Sequence, residues 1–195
     1  MQTYLLFNKP YGVLSQFTPE PGSKARSLAE FVTVPGVYAA GRLDHDSEGA
    51  LLLTDDGEFQ HRLTDPKFGH RKTYLAQVEG EISSDALSKL RRGRIPVQDY
   101  LTRPAKASAV PPPSIPDRVP PVRYRAAIPT SWVEIEMTEG RNRQVRRMLA
   151  AVGFPVLRLI RTAIGDLTLD GLASGECRRL GKAEALTALA GTRHA

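Results

Sequence analysis

The sequence is poor in cysteine and has no long apolar run. Its 195 residues include a single cysteine, Cys177, so no intramolecular disulfide can form. No stretch approaches the roughly 18 consecutive apolar residues of a transmembrane helix. The N-terminal residues also lack the basic and apolar regions of a secretory signal. These absences favour a protein of the reducing cytoplasm that has no membrane partner.

Several catalytic signatures are missing as well. The sequence contains no G-x-S-x-G elbow, no Walker loop and no G-x-G-x-x-G fingerprint. The four histidines show no zinc-ligand spacing, and one cysteine cannot complete such a set. The common hydrolase, nucleotide-binding and zinc chemistries are therefore excluded.

Positive charge is present in excess and is clustered. Lys and Arg total 27 against 21 Asp and Glu, which gives a net charge of +6 and makes the chain a candidate for binding a polyanion. Residues 141–161 contain six arginines and no acidic residue. Arginine suits planar recognition of phosphate, so this segment points to nucleic acid as a partner.

Hydrophobic periodicity predicts an α+β fold with a mainly antiparallel sheet. Lys72–Glu79 alternates as a strand that places Tyr74 on one face with apolar residues. A helix is predicted from Ser83 or Ser84 to about Arg92, and another over residues 142–152. The length suits one domain, with two lobes at most.

Proline marks one segment as irregular. Residues 104–129 hold eight of the 15 prolines and are predicted to be a loop outside the core. The loop is either an arm that contacts RNA or a stiff surface connector. A single catalytic domain is predicted over residues 1–185, followed by a C-terminal tail over residues 186–195.

The densest group of charged side chains lies in residues 41–49, here called the aspartate loop. It contains Arg42, Asp44, Asp46 and Glu48. It could be a simple turn, because aspartate favours turns. It could be a calcium loop with Asp55 at its last position, although a helix is not expected upstream. It could also hold a catalytic carboxylate beside Arg42.

Five short segments together resemble one family. They are FNKPYG at residues 7–12, GRLD with EG in the aspartate loop, KTY at residues 72–74, EGRNRQVRRM at residues 139–148, and RLIR at residues 158–161 followed by Gly165. In residue type, order and approximate spacing, the chain resembles the pseudouridine synthases of the RsuA type. The resemblance extends over roughly residues 3–185.

The resemblance implies a function and a fold. The chain is expected to isomerise a uridine to pseudouridine in ribosomal RNA, with large-subunit RNA as the expected substrate. The expected fold is that of a pseudouridine synthase, with a mainly antiparallel mixed sheet, flanking helices and a central catalytic cleft. No metal, no organic cofactor and a monomer are expected. The catalytic strand begins near residue 3, which implies that the N-terminal S4 domain of many relatives is absent.

The resemblance also assigns roles to individual residues. Asp44 becomes the catalytic aspartate, which either adds covalently to base or sugar or promotes glycosidic cleavage. Arg146 becomes its charge partner, and Tyr74 stacks on the target base. Arg42 helps to hold the flipped nucleotide. The remaining expected RNA contacts are Arg141, Arg143, Arg147 and Arg161.

Two alternatives stand beside this reading. Residues alone allow Tyr74 to be an ordinary core aromatic and Arg146 to be an arginine at the edge of an apolar helix face. The main alternative function is a non-catalytic RNA-binding module, which explains the arginines but not the aspartate loop. The calcium-binding protein is the second.

Overall fold

The computed structural model describes residues 2–19, 22–122 and 128–189. The chain divides into two compact units, one formed by Met1–Lys72 with Ile160–Ala195 and the other by Thr73–Leu159. They are called unit 1 and unit 2 below. In the described residues, strands of a mostly antiparallel sheet combine with four α-helices, which confirms the predicted α+β class.

Eleven strands occur in the described part of the chain. In chain order they are β1 (Tyr4–Lys9), β2 (Tyr38–Ala39), β3 (Glu48–Thr54), β4 (Lys72–Glu79), β5 (Pro96–Val97), β6 (Tyr100–Leu101), β7 (Lys106–Val110), β8 (Thr130–Met137), β9 (Val156–Ile164), β10 (Leu167–Thr168) and β11 (Cys177–Arg179). The helices are α1 (Gly57–Thr64), α2 (Ser84–Arg92), α3 (Gln144–Ala151) and α4 (Lys182–Leu186). Short 3-10 turns lie at Leu28–Glu30, Pro66–Phe68 and Thr187–Leu189.

Unit 1 is built around the pair of β1 and β3. The two strands run antiparallel, with β11 beside β1 and the end of β9 parallel to the start of β3. Every residue of β3 is buried, because both faces of this central strand are covered. Leu52 packs into the apolar cluster that includes Phe59 of α1, and Leu51 and Leu53 pack into the cluster that includes Leu28. Strand alternation therefore gives unit 1 one apolar cluster on each face of the sheet.

Unit 2 follows the sequence patterns closely. In β4 the alternation buries Tyr74, Ala76 and Val78, as predicted. Helix α2 begins after Ser83, whose side-chain oxygen accepts the Ala86 N–H at 3.2 Å, and ends at Arg92, just before Gly93. Strands β4, β8 and β7 are neighbours in that order, and β5 pairs with β6 as a hairpin.

Two predicted boundaries need correction. Within the predicted proline-rich loop, Lys106–Val110 forms β7 and pairs antiparallel with β8, because small apolar residues alternate there with polar ones. Residues 111–122 have no regular secondary structure, and residues 123–127 lie outside the described residues. The predicted tail also begins too early, since Ala188 is buried in the core of unit 1. Its last residues, 190–195, lie outside the described part.

Candidate active site

Backbone hydrogen bonds hold the aspartate loop on both sides of Asp44. The Ser15 hydroxyl donates to the Leu43 carbonyl oxygen at 2.7 Å and accepts the Leu43 N–H at 3.1 Å. On the other side, the Gly12 N–H donates to the His45 carbonyl oxygen at 2.7 Å. The Ser47 N–H closes a turn onto the Asp44 carbonyl oxygen at 3.0 Å. These bonds anchor the backbone on both sides of the partly buried Asp44.

A buried lysine supports the same loop. Lys9 lies at the end of β1 with no exposed surface. Its Nζ donates to the carbonyl oxygens of Pro10 at 2.9 Å, Val13 at 2.7 Å and His45 at 3.4 Å. Burial lowers the pKa of Lys9 to about 7, although the negative charge of Glu48 opposes this shift. Lys9 thus ties the turn after β1 to the residue that follows Asp44.

The end of the aspartate loop is part of a strand. Glu48 and Gly49 begin β3 and pair with Ile160 and Arg161 of β9. Gly49 has a φ of +109°, and a Cβ atom there would lie 2.2 Å from the Arg161 carbonyl oxygen. Only glycine fits this close approach of two backbones.

The placement of Arg161 argues against the role predicted for it. The residue is only 4% exposed, and its Nε donates to the Ala50 carbonyl oxygen at 2.7 Å. An arginine that is buried in this way supports the strand pair of unit 1. This placement fits a structural role better than the predicted contact with RNA phosphates.

Unit 2 carries the arginine segment, defined here as residues 141–147. The loop before α3 is organised by Gln144, which is 3% exposed. Its side-chain oxygen accepts the Arg141 N–H at 3.0 Å, and its side-chain nitrogen donates to Glu139 at 2.6 Å. The same Glu139 oxygen accepts the Arg103 N–H at 2.9 Å. The loop is therefore shaped by interior polar contacts, which leave Arg141 exposed.

The other predicted residues of unit 2 lie on β4, on α3 or just before α3. Arg143 precedes α3 in the left-handed region, with a φ of 52°. Arg146 is partly buried, and its Nη1 donates to the Val156 carbonyl oxygen at 3.3 Å. Tyr74 is buried on the apolar face of β4, which agrees with a core aromatic as well as with a stacking residue. Arg42 is exposed and Asp44 is partly buried, both in unit 1. The pairing of Asp44 with Arg146 stays a prediction.

Four residues that shape the aspartate loop and the loop before α3 had no role predicted from the sequence. They are Lys9, Ser15, Glu139 and Gln144. Three of them lie inside the segments that carried the family resemblance, so a signal for them was present. Ser15 had no such signal, because its contact with Leu43 joins residues 28 positions apart.

The calcium interpretation finds no support in the geometry. Over residues 2–19, 22–122 and 128–189, no three His, Cys, Asp or Glu side chains are placed to hold a metal ion. Asp55, the last position of the candidate calcium loop, accepts the Thr3 N–H at 2.7 Å instead.

Among the described helices, none is long and apolar enough to cross a membrane.

Comparison with known proteins identifies the family. A model of the family described as RNA pseudouridylate synthase matches residues 3–151. The chain belongs to this family.

Several curated relatives carry more specific names. The chain is 57% identical over 170 residues to ribosomal large subunit pseudouridine synthase E of Xanthomonas axonopodis pv. citri, covering 87% of this chain and 89% of the relative. It is 51% identical to the protein of the same name from Vibrio parahaemolyticus, covering 90% and 73%. It is 40% identical to ribosomal large subunit pseudouridine synthase B of Bacillus subtilis, covering 91% and 67%.

Solved structures agree on the fold. A crystal structure of a pseudouridylate synthase superposes with a TM-score of 0.77 at 32% identity, covering 96% of this chain and 74% of the other. This match confirms the pseudouridine synthase fold that the sequence motifs predicted.

Proposed function

We propose that this protein isomerises a uridine of large-subunit ribosomal RNA to pseudouridine. Its relatives of 51–57% identity bear the name of a large-subunit ribosomal enzyme. The observation that carries the proposal is the aspartate loop, in which backbone bonds to Leu43 and His45 hold the position of Asp44. Because ribosomal RNA is the proposed substrate, the cytoplasm is the proposed compartment.

The proposed reaction rearranges one nucleotide without changing its oxidation state. The bond from C1′ to N1 breaks, and a bond from C1′ to C5 forms. The proton lost from C5 is balanced by the proton that N1 carries in the product. Asp44 is the proposed catalytic residue, acting either by covalent addition or by promoting cleavage and then helping to remove the C5 proton.

A guanidinium beside the Asp44 carboxylate would favour the proposed isomerisation. A carboxylate covered by a nucleotide loses hydration, which disfavours its charged form, and a nearby arginine opposes that effect. Arg146 is proposed for this role. Its Nη1 bond to Val156 fixes part of the guanidinium within unit 2.

Binding the target uridine requires it to leave its stack. Extrusion of a base costs a few kcal/mol, and stacking on an aromatic side chain returns about 1–3 kcal/mol. Tyr74 is the proposed stacking residue and Arg42 the proposed support for the flipped nucleotide. Arg141, Arg143 and Arg147 are the proposed phosphate contacts, since all three belong to a segment without acidic residues.

The test is a direct assay on RNA. Purified protein is incubated separately with unmodified large-subunit and small-subunit ribosomal RNA transcripts, and pseudouridine is mapped in each. The expected result is modification at a defined uridine of the large-subunit transcript. Binding without pseudouridine in either RNA would favour the non-catalytic RNA-binding module, and modification of the small-subunit RNA alone would overturn the proposed substrate.

A further inference from the structure

We propose that the hairpin of β5 and β6 holds two arginines of the arginine segment in a conformation that is ready for RNA phosphates. The hairpin side chains that do so are Gln98 and Tyr100, which we assign as positioning residues for Arg147 and Arg141. The inference rests on the proposed RNA substrate, and it adds a part of unit 2 that the sequence motifs do not include.

Tyr100 supports Arg141 through its ring face. The central guanidinium carbon of Arg141 lies 4.1 Å from the centre of the Tyr100 ring. Such a contact occupies one face of the guanidinium and leaves its in-plane N–H groups directed outward. Arg141 is exposed, so these donors can reach a phosphate.

Gln98 supports Arg147 through its amide oxygen. Nη1 of Arg147 donates to Gln98 Oε1, and Nη2 donates to Asn142 Oδ1 at 3.1 Å. Gln98 stands at the turn of the hairpin with a φ of 54°, and its side chain reaches Arg147 of α3. Two neighbours thus fix the orientation of one guanidinium.

The chemistry of these partners favours an anionic ligand. The ring of Tyr100 and the amides of Gln98 and Asn142 are neutral, so they orient the two guanidinium groups without neutralising them. A salt bridge would orient an arginine equally well but would compete with phosphate. Two acidic side chains act on Tyr100 here: Glu139, which already accepts hydrogen bonds from Gln144 and the Arg103 N–H, and Asp99, which is exposed at the hairpin turn.

Orientation before binding has a measurable effect on affinity. A flexible arginine loses side-chain freedom when it contacts RNA, whereas one that is already held loses less. Removing the support while keeping the arginine should weaken RNA binding roughly 3- to 10-fold. The effect should appear mainly in KM, because the hairpin holds no group assigned to the bond rearrangement.

The hydroxyl of Tyr100 provides an internal control. It is buried without a hydrogen-bond partner among the described residues. Phenylalanine therefore keeps the ring that contacts Arg141 and breaks no hydrogen bond. If the ring face is what matters, Tyr100→Phe should restore the affinity that Tyr100→Leu loses.

The experiment measures binding and turnover on an unmodified large-subunit ribosomal RNA transcript. Tyr100→Leu should lower affinity and raise KM more than it changes kcat, and Tyr100→Phe should recover both. In an Arg141→Ala background, Tyr100→Leu should have little further effect, because the residue that it positions is gone. Leu101→Ala, at an exposed position of the same hairpin, is the matched control.

Each outcome bears on a separate claim. Equal losses in Tyr100→Leu and Tyr100→Phe, or additive losses with Arg141→Ala, would overturn the positioning role. If Tyr100→Leu fails to fold, Gln98→Asn is tested instead, because asparagine tolerates the same backbone conformation. Its loss of affinity should not add to that of Arg147→Ala, and additive losses would overturn the positioning role. A wild-type protein that binds RNA without forming pseudouridine would overturn the proposed function. The RNA affinities of the single and double variants would still test whether the hairpin positions the two arginines.

Discussion

The aspartate loop and the arginine segment differ in the bonds that anchor them. The aspartate loop is anchored through its main chain, at Leu43 and His45. The arginine segment is anchored through side chains of its own, with Gln144 bonded to Glu139 and Arg147 bonded to Gln98. Substitution of a functional side chain should therefore leave the backbone of the aspartate loop in place. In the arginine segment, a substitution should change both the conformation of the loop and its affinity for RNA.

The largest expected effect follows from this difference. Asp44→Asn removes the negative charge and the nucleophilic oxygen but keeps the backbone anchors of the loop. Turnover should fall below detection, a loss of at least roughly 10²–10⁴-fold, which is the contribution of a well-placed acid or base. RNA affinity should stay the same or rise slightly, because one charge that repels phosphate is gone.

Asp46→Asn is the matched control for Asp44→Asn. It makes the same chemical change two residues further along the aspartate loop and should retain most activity. Pseudouridine formation and RNA affinity are measured for both variants, together with thermal unfolding. A folded Asp44→Asn protein that works near the wild-type rate would remove Asp44 from the catalytic assignment.

The next effect concerns the backbone beneath the aspartate loop. Gly49→Ala places a Cβ atom 2.2 Å from the Arg161 carbonyl oxygen and does so at a positive φ. Neither strand can yield easily, so we expect a loss of about 3 kcal/mol or more in the free energy of unfolding. Denaturant unfolding measures it. Gly57→Ala is the control, because a Cβ atom there would meet no atom within 4 Å apart from its chain neighbours, and its φ is not in the left-handed region. Similar stabilities for the two variants would contradict the close approach of Gly49 to Arg161.

A smaller loss is expected in the arginine segment. Gln144→Ala removes the acceptor of the Arg141 N–H and a donor to the largely buried Glu139 carboxylate. Stability should fall by about 1–3 kcal/mol, because buried polar groups lose their partners. In contrast to Asp44→Asn, RNA affinity should fall in the same variant. A normal affinity with reduced stability would show that the shape of this loop does not control RNA binding.

The same contrast explains what could be predicted from the sequence. Helix α2 has its cap and its terminating glycine in the sequence, and β4 has a regular alternation, so both were placed correctly. Strand β7 was missed because the prolines that follow it dominate the composition of residues 104–129. Arg161 was predicted, with the neighbouring arginines, to contact RNA. Its burial depends on its pairing with Gly49, a contact between distant positions that periodicity does not report.

A further expected effect is a pH dependence of stability that arises from Lys9. Burial lowers the pKa of Lys9 from 10.5 to about 7 in the folded protein. Between these two pH values the unfolded chain binds a proton that the folded chain lacks, so this lysine makes stability rise with pH across that window. Below about pH 7 the unfavourable contribution is present in full. The slope for one proton is at most about 1.4 kcal/mol per pH unit.

Lys9→Met tests this contribution by removing the titrating group while filling much of its volume. The stability of the wild type relative to Lys9→Met should rise as the pH increases from 7 toward 10, as measured by denaturant unfolding at each pH. Lys24→Met, at an exposed lysine of the same unit, should show no such trend. A stability difference for Lys9→Met that is constant with pH would mean that Lys9 keeps its proton when the chain folds. In that case the three carbonyl oxygens around Nζ, together with Glu48, would compensate for its burial.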